Sequence, residues 1–355
     1  MNIYGEQLSP RQLMERIGNM NQVAGVKRYL LKEGRSEGVD AIDIKTGSGM
    51  NFTVLPGRGM DIAWLEYQGK PISYMNKNGI VNATYYSPQG YEWLRSFFGG
   101  ALTTCGLTHV GPPDQDGIWE LGLHGRISNT PAEQVTAENF WDGEDYIMQL
   151  SGIMHESVIF GENLMLKRVI QTKLGEKKLI LHDTITNEGF IDVPFMILYH
   201  MNIGYPVISE NSYVYIPTNN IIPRDLEAEK GISNWNTCEK PSKGYAEQVF
   251  FHDLKQSTSG NTCVGIINES ISFGVSIKFN KNELPYFTQW KMMGQQDYVM
   301  GFEPGNCIPE GRPTAATRNS LVYLKPGEKK DIWIEIGILD GSTAVQSFLK
   351  HINAL

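Results

Sequence analysis

Residues 271–279 read Ile271-Ser272-Phe273-Gly274-Val275-Ser276-Ile277-Lys278-Phe279. Apolar and small or polar residues alternate without a break. A period of two describes a strand with one buried face, and it does not describe a helix, whose apolar stripe recurs every three or four residues. Moving outward, Leu321–Leu324 and Ile332–Ile338 flank Lys325-Pro326-Gly327-Glu328, a type II turn with Pro at i+1 and Gly at i+2. Upstream, Leu164–Thr172 and Leu179–Thr186 flank Gly175-Glu176 and read as a hairpin. Met50–Val54 alternates in the same way, as do Met60, Ile62 and Trp64 beyond the Pro56-Gly57-Arg58-Gly59 turn.

Helical patterning is confined to the two ends. Ser9 suits an N-cap, Pro10 the first helical position and Gly18 a C-terminal stop. Residues 342–352 place Val345, Phe348, Leu349 and Ile352 on one stripe. Many short strands with almost no helix between them predict antiparallel sheets rather than βαβ units. At 355 residues the length prior suggests about two domains, but β-sandwiches often exceed it. No linker divides the chain, and no repeat of 20–50 residues marks a propeller or solenoid. The reading is all-β: one large antiparallel β-sandwich over residues 21–340, with a helical segment at 1–20 and a helix at 341–355.

Composition narrows the function. With 31 Lys+Arg against 39 Asp+Glu, the net charge of −8 disfavours a phosphate backbone as partner. No apolar run approaches the roughly 18–20 residues of a membrane span. The opening MNIYGEQLSPRQLMERIG lacks the basic and apolar regions of a signal peptide. Cys105, Cys238, Cys263 and Cys307 form no C-x-x-C pair, so reduced thiols and a cytoplasmic location are expected. The seven His include no H-x-H or H-x-x-x-H pair, no G-x-S-x-G elbow is present, and no Gly-rich loop matches a phosphate or dinucleotide fingerprint. Neither a metal nor a cofactor is expected. The oligomeric state is left open.

Three segments concentrate polar residues among unusual neighbours. In Leu121–Asn129, a His124-Gly125-Arg126 run sits between apolar residues; its bland reading is a loop with a capped His. In Phe195–Pro206, an apolar strand ends in His200, followed by Asn202 and Gly204; its bland reading is a satisfied core His. In Val299–Cys307, Glu303 follows an apolar strand and precedes Pro304. Burial there would raise its pKa toward that of a neutral-pH base, while the bland reading is a strand-end ion pair. Upstream, Trp290 offers an aromatic face, which gains meaning if the ligand is a carbohydrate.

The segments LPGRGMDI, GGALTTCGL, LHGRISNTPA, LYHMNIGYP, QWKMMG and FEPGN, in this order over about residues 50–310, resemble the aldose 1-epimerase (galactose mutarotase-like) superfamily, in its poorly characterised aldose-epimerase-like branch. The resemblance implies a supersandwich fold and a cofactor-independent mutarotase that interconverts the anomers of a free sugar. Glu303 would then be the general base at the C1 hydroxyl and His200 the general acid at the ring oxygen. His124 would hydrogen-bond the ring or a nearby hydroxyl. Arg58, Asp61, His109, Arg126 and Trp290 would bind substrate, with turn-stabilising ion pairs as the alternative for the first four. Asp225 is a candidate for a further substrate-binding acid. Two other readings stay open: an epimerase of a sugar acid or sugar phosphate clamped by Arg58 and Arg126, and a non-catalytic carbohydrate-binding protein on the same scaffold.

Overall fold

The structure is a computed structural model that describes residues 1–355, apart from the side chain of Asn2. Every strand ladder is antiparallel, in three main sheets of eight, seven and five strands. The alternating stretch lies deep in the eight-stranded sheet as the strand Phe273–Asn280, between Asn261–Asn268 and Lys329–Asp340. Phe273, Val275, Ile277 and Phe279 have no exposed surface and face the main apolar core. Ile271 departs from the predicted strand: it ends a 3-10 turn, 44% exposed, where Ser272 adopts a left-handed φ of 47°.

Part of the back of that sheet is covered by the C-terminal helix Ser342–Asn353, whose Phe348 and Ile352 pack on Cys263, Ile267 and Leu339. Gly265 permits this contact, because a Cβ there would come within 2.6 Å of the Phe348 ring. The hairpin of Asn163–Lys173 and Lys178–Asn187 forms as expected. The turn at 325–328 also forms, with Gly327 at φ 74° and the Glu328 N–H donating to the Lys325 carbonyl. It does not join paired strands, however. Val322–Leu324 pairs in the sheet of Val193–Ile203, whereas Lys329–Asp340 joins the eight-stranded sheet, so the turn carries the chain from one layer to the other.

Two further expectations are adjusted. The first helix spans only Pro10–Met14; Ser9 and Gln12 form the capping box, and the Arg16 guanidinium donates to the Gln12 carbonyl, ending the helix before Gly18. In the strand Asp61–Tyr67 a bulge opposite Thr53 and Val54 shifts the alternation, so Trp64 turns outward while Ile62, Ala63 and Leu65 are buried. All four Cys are buried and unpaired. No helix among the described residues is long and apolar enough to cross a membrane.

One ion cluster lies where the three sheets meet. Arg168, on the eight-stranded sheet, donates to both oxygens of Asp183 (2.8 and 2.7 Å) and to Asp61 on the five-stranded sheet (3.0 Å). Thr104 and Tyr199, from the seven-stranded sheet, donate to Asp61 and Asp183 at 2.6 and 2.8 Å. Arg168, Asp61, Asp183, Thr104 and Tyr199 have no exposed surface.

Candidate active site

Three adjacent strands of the seven-stranded sheet, Tyr286–Met293, Tyr298–Gly305 and Val193–Ile203, carry the centre of the site. Thr288 stands in register with Glu303. The pairs Leu198–Gly305 and Met201–Phe302 bracket His200 and place it opposite Glu303. Thr288, Glu303 and His200 therefore form a row across three strands, and cross-strand partners share a face. His200 and Glu303 sit within their strands rather than at the strand ends that the sequence suggested.

His200 Nε2 lies 3.2 Å from Glu303 Oε1, and both side chains are buried. Gly301 makes room for this arrangement: a Cβ there would fall 2.8 Å from Glu303 Oε1 and 2.9 Å from Trp290 Cβ. His124 approaches from a loop. Its φ is 57° and that of Gly125 is 75°, a left-handed corner that brings the ring inward. A Cβ on Gly125 would lie 2.4 Å from the Gly106 carbonyl oxygen, so the His-Gly order has a steric cause.

Aromatic rings surround the pair. Phe97 and Trp290 each lie 5.4 Å from the His200 ring, and the His124 ring meets it edge-on at 6.1 Å. Trp93 stacks on Phe97 at 4.7 Å and contacts His124 at 5.0 Å. This buried, largely apolar setting disfavours charge. Burial pushes Glu303 up to about 8, helped by the Glu247 carboxylate. Burial lowers His200 to about 4, and it lowers His124 to about 3 with some repulsion from His200. Near neutrality the row is uncharged, with the titrating proton on Glu303 and His200 neutral.

These side chains line a cleft of about 600 Å³. At its rim Glu247 accepts from the Trp290 indole N–H (2.8 Å) and from Arg224 (3.0 Å), which also pairs with Asp225 at 2.8 Å. Three buried polar atoms on cleft-lining side chains have no partner: His124 Nδ1, His200 Nδ1 and Thr288 Oγ1. Each such atom costs about 1–3 kcal/mol until something bonds it. Among the described residues no group of three or more His, Cys, Asp or Glu is placed to hold a metal ion.

Of the eight site residues read from the sequence, Glu303, His200, His124 and Trp290 meet in this cleft. The other four do not line it. Arg58 is fully buried and donates to the carbonyls of Ser128, Val81 and Ser96, so it has no free donor face for a ligand. Asp61 is consumed by the Arg168 cluster. His109 bonds the Pro112 carbonyl and the Arg312 N–H, and with Arg126 it lines a separate hollow of about 50 Å³. Asp225 is the N-cap of the helix Leu226–Lys230, accepting from Glu227 and Ala228 N–H groups. Sequence reading missed Thr288, Arg224, Glu247 and the Trp93–Phe97 wall. Only Arg224, beside the Asp225 that was considered, carried a local signal.

The sequence profile described as "Domain of unknown function (DUF4432)" matches residues 36–338. The chain belongs to this family. Among solved structures, this DUF4432 chain is similar to a candidate aldose 1-epimerase from Klebsiella pneumoniae subsp. pneumoniae MGH 78578, with a TM-score of 0.89 and 25% identity over 95% of this chain and 90% of that one. A galactose mutarotase-like protein from Clostridium acetobutylicum matches at TM-score 0.64 and 16% identity, covering 90% of this chain and all of the other (100%). A galactose 1-epimerase from Lactobacillus acidophilus NCFM matches at TM-score 0.57 and 14% identity, covering 90% and 99%. At those last two identities the likeness concerns the fold. No curated protein sequence matches the chain. The all-β, galactose mutarotase-like architecture read from the sequence is the architecture of the DUF4432 chain.

Proposed function

We propose that the protein is an aldose 1-epimerase that opens and recloses the ring of a neutral, unphosphorylated sugar. The observation that carries this reading is the 3.2 Å contact between His200 and Glu303 inside the cleft. Ring opening needs a base at the C1 hydroxyl and an acid at the ring oxygen. Those two oxygens are bonded to the same carbon, so an acid and a base side by side reach both. The buried row rests with its proton on Glu303; transfer across the 3.2 Å contact to His200 gives the reactive form, in which the Glu303 carboxylate takes the hydroxyl proton while the C1–O5 bond breaks. Its electron pair receives the proton from His200. The aldehyde rotates about C1–C2, and the reverse transfers close the ring on the other face. Afterwards the pair again holds one proton, which balances the cycle. His124 stands beside His200 as a neutral hydrogen-bonding group, and Trp290 offers its face to the ring.

The cleft favours an uncharged substrate over a sugar acid or phosphate. Its Arg224 is already paired with two carboxylates, and Arg58 and Arg126 lie elsewhere. The test is anomer exchange, measured by NMR saturation transfer over a panel of aldoses and uronic acids. Wild type should accelerate exchange of a neutral aldose, and Glu303→Gln and His200→Ala should each lower kcat/KM by roughly 10²–10⁴-fold. A wild type that binds a sugar without accelerating its exchange is a binding protein, and full activity in Glu303→Gln defeats the assignment of the base.

A further inference from the structure

Thr288 has no role in the acid–base cycle, yet its hydroxyl is buried in the wall of the same cleft without a partner. Valine has nearly the same shape and an equal preference for strands, and it would leave no orphan hydroxyl. A strand Thr normally satisfies its hydroxyl on a neighbouring carbonyl or side chain, as Thr103 does on Gly99 and Thr172 does on Lys178. Thr288 is 1% exposed and does neither.

Its place in the row says what it faces. Glu303 is central, with His200 on the strand to one side and Thr288 on the strand to the other. A sugar that presents its C1 hydroxyl to Glu303 and its ring oxygen to His200 has one remaining ring neighbour of C1, which is C2. That carbon falls on the Thr288 side. From this geometry, and resting on the epimerase reading above, we infer that Thr288 is a specificity residue that hydrogen-bonds the C2 hydroxyl, so the substrates are 2-hydroxy aldoses. The hydroxyl of Thr288 can donate and accept, so it suits an alcohol.

The experiment compares glucose and galactose with their 2-deoxy counterparts, by anomer-exchange kinetics and by NMR titration, in wild type, Thr288→Val and Thr288→Ser. Wild type should prefer the 2-hydroxy sugars by about tenfold, the size of one recovered buried hydrogen bond. Thr288→Val should lose that preference by slowing the 2-hydroxy sugars alone, and Thr288→Ser should retain it. Equal losses on both sugar types, or an unchanged preference in Thr288→Val, overturn the inference. If Thr288→Val does not fold, wild type decides by itself, because equal handling of 2-hydroxy and 2-deoxy sugars is incompatible with the contact. Absence of turnover on any sugar defeats the epimerase reading instead, and the titration contrast between the two sugar types then decides the role of Thr288.

Discussion

Glu303 and His200 are each pushed toward neutrality by the same cause, burial among aromatic rings that takes both groups away from bulk solvent. The directions are opposite because a carboxyl is neutral when protonated and an imidazole when deprotonated. Glu303 rises from an ordinary 4.5 to about 8, and His200 falls from 6.5 to about 4. The pair holds one titrating proton between those limits, so kcat/KM for anomer exchange should be level from about pH 5 to 7. It should fall below about 4, as His200 gains a second proton, and above about 8, as the shared proton leaves. Stability carries a matching signature. Between pH 4.5 and 8 the folded protein keeps a proton on Glu303 that the unfolded chain releases. That contribution is complete below 4.5 and is lost as pH rises through 8. Glu303→Gln cannot ionise, so its stability relative to wild type should climb from pH 5 to pH 8, by at most about 1.4 kcal/mol per pH unit. Urea melts at pH 5, 6.5 and 8 measure this. A difference that does not change with pH would mean that Glu303 is not held as a neutral acid.

The strand Tyr298–Gly305 shows how an element makes a site from its own alternation. Gly301 and Glu303 share a face, and the missing side chain of the first accommodates the carboxylate of the second and the indole of Trp290. Gly301→Ala should therefore displace both, costing about 1–3 kcal/mol through overpacking and at least tenfold in exchange rate. Gly18→Ala is the control, since that position has open space and no left-handed φ. Thermal melts and exchange kinetics on the two variants separate local crowding from a general intolerance of alanine. Much of this strand was legible in the sequence: an apolar run holding one carboxylate is conspicuous, and so is His200 in its own run. Thr288 was not legible, because its meaning lies in register with Glu303, fifteen positions away. Trp64 misled for a related reason, since the bulge that turns it outward arises between two strands and leaves no mark on either alone.

At the scale of the molecule, the same blindness to distant partners explains Arg58 and Asp61. Both are polar residues beside a turn, where a ligand-binding role and a structural one look alike in sequence. Their partners, Ser128, Ser96, Arg168 and Thr104, come from far along the chain and appear only once the sheets stack. Asp61 belongs to the cluster that joins all three sheets through Arg168, and the consequence is a sharp contrast between two Arg–Asp pairs. Arg28 and Asp40 form a close pair at the surface, where water screens both charges. Arg28→Ala should cost no more than about 1 kcal/mol. Arg168 is fully enclosed, and Arg168→Met would leave Asp183 buried without its counter-charge and Asp61 with only the neighbouring Arg58. That change should cost about 3–5 kcal/mol, read as a shift in the urea midpoint at unchanged slope. Replacing the whole set together, with Asp61→Asn and Asp183→Asn added to Arg168→Met, should recover part of the loss, because the penalty comes from unpaired carboxylates rather than from absent attraction. Were Arg168→Met to melt like Arg28→Ala, the cluster would not be what holds the three sheets in register around the cleft.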